Sequence, residues 1–153
     1  MECYEGIQVI KTFRGKMADD TQDTIVLHTN DGSMGYRILS LSGMPQNGST
    51  DIEGVLKIYK TKQSTQDTDI DFSDQALLGA MILIQDDSHE NWSEPVVVFD
   101  KEIFNQDIHI TWKCHDKSGS VNYYIELEQV KLDLGENTVA TLKDIRNVKT
   151  QGF

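Results

Sequence analysis

The stretch IHITWKC from Ile108 to Cys114, with KSGS at Lys117–Ser120 and VNYYIEL from Val121 to Leu127, decides the fold. Side chains alternate across an extended chain, so Ile108, Ile110, Trp112 and Cys114 share one face while His109, Thr111 and Lys113 share the other. Val121, Tyr123, Ile125 and Leu127 form a second apolar series, opposed by Asn122, Tyr124, Glu126 and Glu128. The Gly/Ser cluster between them is a turn signal, and together they predict an antiparallel hairpin. After Leu127 the apolar parity flips to Val130, Leu132 and Leu134, which predicts a bulge or bend near Glu128–Gln129.

Working back from this pair, short β-rich runs alternate with turn clusters. Candidate strands are Ile7 to Phe13, Thr24 to Thr29, Tyr36 to Leu41, Gly54 to Thr61, Ala76 to Gln85 and Val96 to Phe99. Met17 to Asp23, Gly43 to Thr50, Lys62 to Asp74 and Asp86 to Pro95 read as loops. Gly79 and a β-branched tail make Ala76 to Gln85 a central strand rather than a buried helix. These spacings predict a mainly β protein: an antiparallel β-sandwich, jelly-roll-like, with a short C-terminal α-helix in a single domain spanning 1–153.

The helix is expected over about 136–149. Val139, Leu142, Ile145 and Val148 recur every three residues, as on one helical face. Glu136 lies near its start and Lys143, Arg146 and Lys149 in its second half, complementing the helix dipole. Asn137 or Thr138 can supply the N-cap. So short an amphipathic helix does not persist alone in water. Its stripe is expected to close the sandwich or to form an interface with another subunit.

The 153 residues carry a formal charge of −11. Thr65 to Glu102 holds ten acids against the single base Lys101, hence −9 of that total. Nucleic-acid binding draws on clustered Lys and Arg, so no nucleic-acid partner is expected. An acidic segment of this kind reads most simply as a solvated face; the functional alternative is docking on a basic partner. No apolar run reaches 18 residues, so no membrane span is expected. MECYEGIQVIK at the start lacks the basic and apolar regions of a classical signal peptide. Cys3 and Cys114 are too few for a disulfide scaffold and are expected to be reduced.

No nucleophile elbow, P-loop, H-E-x-x-H or dinucleotide fingerprint occurs. Asp67, Asp69 and Asp71 are spaced like the start of a calcium loop, but Phe72 and Leu78 stand where an EF-hand needs Gly and Glu. The segment reads as a solvated acidic loop, and no metal is expected. His115 beside Cys114 points to the opposite face of a strand, a poor start for zinc. Cys114 in an alternating apolar series reads as a small buried hydrophobe rather than a nucleophile paired with His28, His89, His109 or His115. Asn47 and Asn91 sit in glycosylation sequons, which carry little weight without a secretory signal. Trp92 lies among Asp86, Asp87, Glu90 and Glu94. It either pins its own loop or anchors a contact with a protein or a sugar ring.

The stretches FDKEIFNQDIHIT, Phe99 to Thr111, and NYYIELEQVKLDLGENTVATLKDIRN, Asn122 to Asn147, cover about a quarter of the chain. They resemble a family of small virion structural proteins of marine tailed bacteriophages, of the capsid-decoration or head-associated type. The resemblance implies a non-enzymatic protein with no catalytic residues and no cofactor, on the outer surface of the virion and assembled in the host cytoplasm. The implied partners are the major capsid protein and further copies of the chain, as a dimer or trimer. Val139, Leu142, Ile145 and Val148, with Trp92, are then the expected interface. A β-sandwich adhesion or carbohydrate-binding module of a fibre or tail component is the alternative.

Overall fold

The computed structural model describes residues 7–27, 32–86 and 95–132. Among them eight strands form: β1 (Val9–Met17), β2 (Thr21–Ile25), β3 (Met34–Pro45), β4 (Ile52–Tyr59), β5 (Leu77–Gln85), β6 (Val96–Phe99), β7 (Ile108–Cys114) and β8 (Val121–Lys131). They make a three-stranded sheet, β1-β8-β3, and a five-stranded sheet, β2-β7-β4-β5-β6. All pairings are antiparallel. One apolar cluster, drawing on both sheets, fills the space between them.

The winding is that of a jelly roll, a long hairpin of strands rolled into two layers. First pairs with last (β1 with β8), second with second-last (β2 with β7), and the innermost two (β4 with β5) with each other. The remaining pair is vestigial. β6 stays with β5, and only an isolated bridge from Phe104 to Tyr36 reaches β3. Its two backbone hydrogen bonds are 2.7 and 2.9 Å long.

The expected hairpin is not formed. β7 lies between β2 and β4 in one sheet, and β8 lies between β1 and β3 in the other. The cause is the pair of apolar faces. A hairpin would place both on one side of a single sheet, whereas facing them across two sheets lets each cover the other. The corner is fastened accordingly: Trp112 Nε1 donates to the Gly119 carbonyl at 2.9 Å. Glu53 and Gln46 amides take the carbonyls of Lys117 and Ser120. Asp116 holds a left-handed backbone, φ 60°.

Two further expectations shift. β8 runs from Val121 to Lys131 without a bulge; the irregularity lies in β3 between Ile38 and Ser40. The parity change is absorbed where burial fades, through half-buried Glu128, Gln129 and Val130, before Leu132 just past the strand turns inward. The Met17–Asp23 segment is a tight turn between strands rather than a loop. Asp20 adopts φ 61°, the Thr21 hydroxyl donates to the Ala18 carbonyl at 2.6 Å, and Asp19 Oδ1 accepts the Cys114 amide at 2.8 Å. The C-terminal helix expected over 136–149 lies outside the described residues.

Candidate functional site

The Lys62–Asp74 segment has no strand and is tied to the outer face of the five-stranded sheet by Lys57. Lys57 interrupts the apolar run of β4, points outward by parity, and is nevertheless only 2% exposed. Its ammonium donates to Asp67 Oδ1 at 2.6 Å and to the Asp69 carbonyl at 2.7 Å. It also lies 5.4 Å from the centre of the Tyr59 ring. Burial alone would lower the Lys57 pKa, but hydrogen bonds with Asp67 and Tyr59 outweigh it and the net shift is upward.

Two of the three carboxylates with calcium-loop spacing serve the loop itself. Asp67 accepts from Lys57 and from the Asp69 amide. Asp71 Oδ1 accepts the Ser73 amide and hydroxyl at 2.9 and 2.6 Å. Among the described residues no group of three or more His, Cys, Asp or Glu is placed to hold a metal ion. The acidic loop is a strap, fastened at its start by reciprocal hydrogen bonds between Gln63 and Gln22 and further along by Lys57.

The other end of this sheet exposes an apolar strip. Register sets Met81 opposite Val97 and Gly79 opposite Phe99, facing the core. Ile82 opposite Val96 and Ala80 opposite Val98 therefore face outward. Val96 is 62% and Val98 50% exposed, with Ile82 and Ile84 beside them. Phe72, 69% exposed on the strap, lines a shallow depression of about 220 Å³ with Val98 and Phe99. Among the described residues β6 is the last strand of its sheet, and a strand edge leaves backbone donors and acceptors unpaired.

The outer face of the three-stranded sheet carries a groove of about 700 Å³. Register builds it from two rows of exposed side chains, Arg14–Tyr124–Ser42 and Lys16–Asn122–Met44. Between them runs the backbone of Gly15, Tyr123 and Gly43, whose side-chain positions face inward. Both glycines lie under close approaches: a Cβ on Gly15 would lie 2.7 Å from the Tyr123 hydroxyl, and one on Gly43 would displace the end of the Met81 side chain. Among the described residues no carboxylate forms an ion pair with Arg14 or Lys16.

No nucleophile–base pair emerges among the described side chains. Cys114 is buried, its Sγ directed at the Gly119 carbonyl 3.4 Å away, and burial pushes its thiol pKa up. His109 bonds to Thr24 Oγ1 at 2.9 Å, and burial lowers its pKa. His115 is exposed beside Asp116. Asn47 serves its own turn, Oδ1 accepting from Ser49. The expected interface residues Val139, Leu142, Ile145, Val148 and Trp92 lie outside the described residues, as do His28, His89 and Cys3.

The strap and the groove were not visible in the sequence. Lys57 within GVLKIYKT was the one signal for the first. For the second, three strands far apart in the chain had to be aligned. No protein-family model matches the chain, and no curated protein matches it.

Proposed function

We propose that this chain is a non-enzymatic virion structural protein. It binds the outer surface of a phage head and decorates or cements the lattice of the major capsid protein. The reading draws its identity from the resemblance at Phe99–Thr111 and Asn122–Asn147. The observation that carries it is the exposed strip of Val96, Val98 and Ile82 along β6, the last strand of its sheet among the described residues, since a contiguous exposed apolar surface marks an interaction site.

Asp86 follows the end of β5 and Asp100 the end of β6 in sequence, while Glu102 is paired with Lys60. Like charges juxtaposed across a contact disfavour it, so two copies meeting through this strip would repel, whereas a basic patch on the capsid protein would be complementary. A contact burying about 800 Å² per partner suffices for stable association. Repetition over a symmetric lattice multiplies its effect. In this reading the apolar stripe Val139, Leu142, Ile145 and Val148 supplies a second anchor, toward the shell or a neighbouring copy in a dimer or trimer. A net charge of −11 suits the exterior of the shell rather than a surface against packaged DNA.

The test is co-sedimentation of the purified protein with empty heads lacking it. Saturable binding is expected, weakened at least tenfold by Val96→Lys with Val98→Lys and also by removal of residues 134–153. Absence of binding by the intact protein would refute the proposal. Unchanged binding by either variant would refute the corresponding anchor.

A further inference from the structure

We infer that the groove on the outer face of the three-stranded sheet is a binding site for an acidic oligosaccharide, one bearing carboxylates on consecutive sugar rings. The inference does not depend on the capsid reading, but the two are geometrically compatible. The outer faces of the two sheets lie on opposite sides of the shared core. A protein docked through β5 and β6 would therefore present the groove outward.

Three features define the ligand class. First is charge. Arg14 and Lys16 lie two residues apart on the same face of β1, about 7 Å from one another along a strand. Neither is neutralised by a carboxylate among the described residues, in a chain whose balance is −11. At physiological ionic strength charges beyond about 8 Å are largely screened, so this local pair rather than the net charge sets what the groove attracts. The planar Arg14 fork matches a carboxylate.

Second is the aromatic. Tyr124, 39% exposed, stands in the middle strand of the groove between Arg14 and Ser42. Its hydroxyl donates to Glu126 Oε1 at 3.2 Å, which fixes the ring and engages the one carboxylate in the adjoining row. A fixed aromatic face flanked by the Asn122 amide and the Ser42 hydroxyl suits a sugar ring, apolar on one face and hydroxylated at its rim. Third is size. The groove of about 700 Å³ falls within the range of ligand sites, and it is open, so a chain can pass through.

The probe is tri-galacturonic acid, compared by calorimetry with its fully methyl-esterified form, which keeps the skeleton and removes the charges. The acid is expected to bind at least about tenfold tighter than the ester. Arg14→Gln with Lys16→Gln should abolish that preference. Tyr124→Ala should weaken both forms, and Tyr124→Phe, which keeps the ring but loses its tether to Glu126, should weaken them less. All these positions are exposed on a strand surface, and circular dichroism checks that each variant is folded. The inference is overturned if acid and ester bind alike, if neither binds, or if the double variant keeps its preference for the acid. Equal competition by sodium sulfate at matched ionic strength, indicating mere ion exchange, would overturn it too.

Discussion

Replacing Gly54 by alanine tests how closely the Trp112 side chain of β7 packs over the neighbouring strand β4. Trp112 is fully buried, and the distal ring of its indole lies over Gly54. A Cβ there would stand 2.7 Å from Cζ2 and 2.9 Å from Cζ3, and nearer still to Cη2. Carbon atoms rest about 3.5–4.0 Å apart, so the ring would have to retreat by about 1 Å. It has nowhere to go, because Nε1 is held by the Gly119 carbonyl. Overpacking of this kind costs about 3 kcal/mol at the upper end of the usual range. Alanine in a strand returns about 0.5–1 kcal/mol relative to glycine, leaving a net loss near 2 kcal/mol. The clashing atoms belong to the distal ring of the indole and are absent from phenylalanine. Trp112→Phe is itself destabilising, through a cavity and the loss of the indole hydrogen bond to Gly119, but in that background Gly54→Ala should be neutral or slightly stabilising. Urea denaturation followed by far-UV circular dichroism gives the four stabilities, and a coupling of about 2–3 kcal/mol is expected. Additivity within about 0.5 kcal/mol would refute the packing described.

At the strap, Asp67→Asn should destabilise more than Lys57→Met, by about 1–3 kcal/mol against less than about 1 kcal/mol. The first leaves a buried ammonium without its counter-charge; the second leaves only a solvated carboxylate. Thermal melts and proteolysis within residues 62–74 would report it, and the reverse order would contradict it. The Lys57 hydrogen bond holds the Asp67 pKa below its usual 3.8, so the stability it contributes is present above that pH and lost as pH falls below it. The acid limb of a melting-temperature profile should flatten in Asp67→Asn. Burial first, then Asp23, pushes the Tyr123 phenol up to about 12 from 10.0. Its contribution is complete below pH 10 and lost on rising toward 12, so Tyr123→Phe should flatten the alkaline limb. In a Cys3→Ser background Cys114 should resist an aromatic disulfide reagent until the protein unfolds; prompt labelling of folded protein would contradict its burial.

How far the sequence could be read follows from what each signal reports. β6 came out at Val96–Phe99 as expected, because four apolar residues between turn clusters have few alternatives. The alternation in β7 and β8 correctly reported which side chains face the core, although Thr111 on the outward face is buried too. It was silent on pairing, since a strand facing another sheet and a strand beside its hairpin partner have the same period. Deciding between them needed the tertiary fact that two apolar faces must cover each other. Tyr124 read as an ordinary sheet residue. Only the register Arg14–Tyr124–Ser42 shows that it shares a groove with cations more than a hundred residues away in the chain. Lys57 was hidden differently: an isolated charge in an apolar strand signals that a partner must cover it, but not which later loop supplies that partner.

The most direct test of the functional account is an electron cryomicroscopy map of the intact particle encoding this chain, resolved well enough to trace it. The account predicts a two-layered β body outside the shell, with Val96, Val98 and Ile82 buried against the capsid protein and the Arg14–Tyr124 groove facing solvent. A map placing the chain inside the head, at a tail tip, or nowhere on the particle would contradict it.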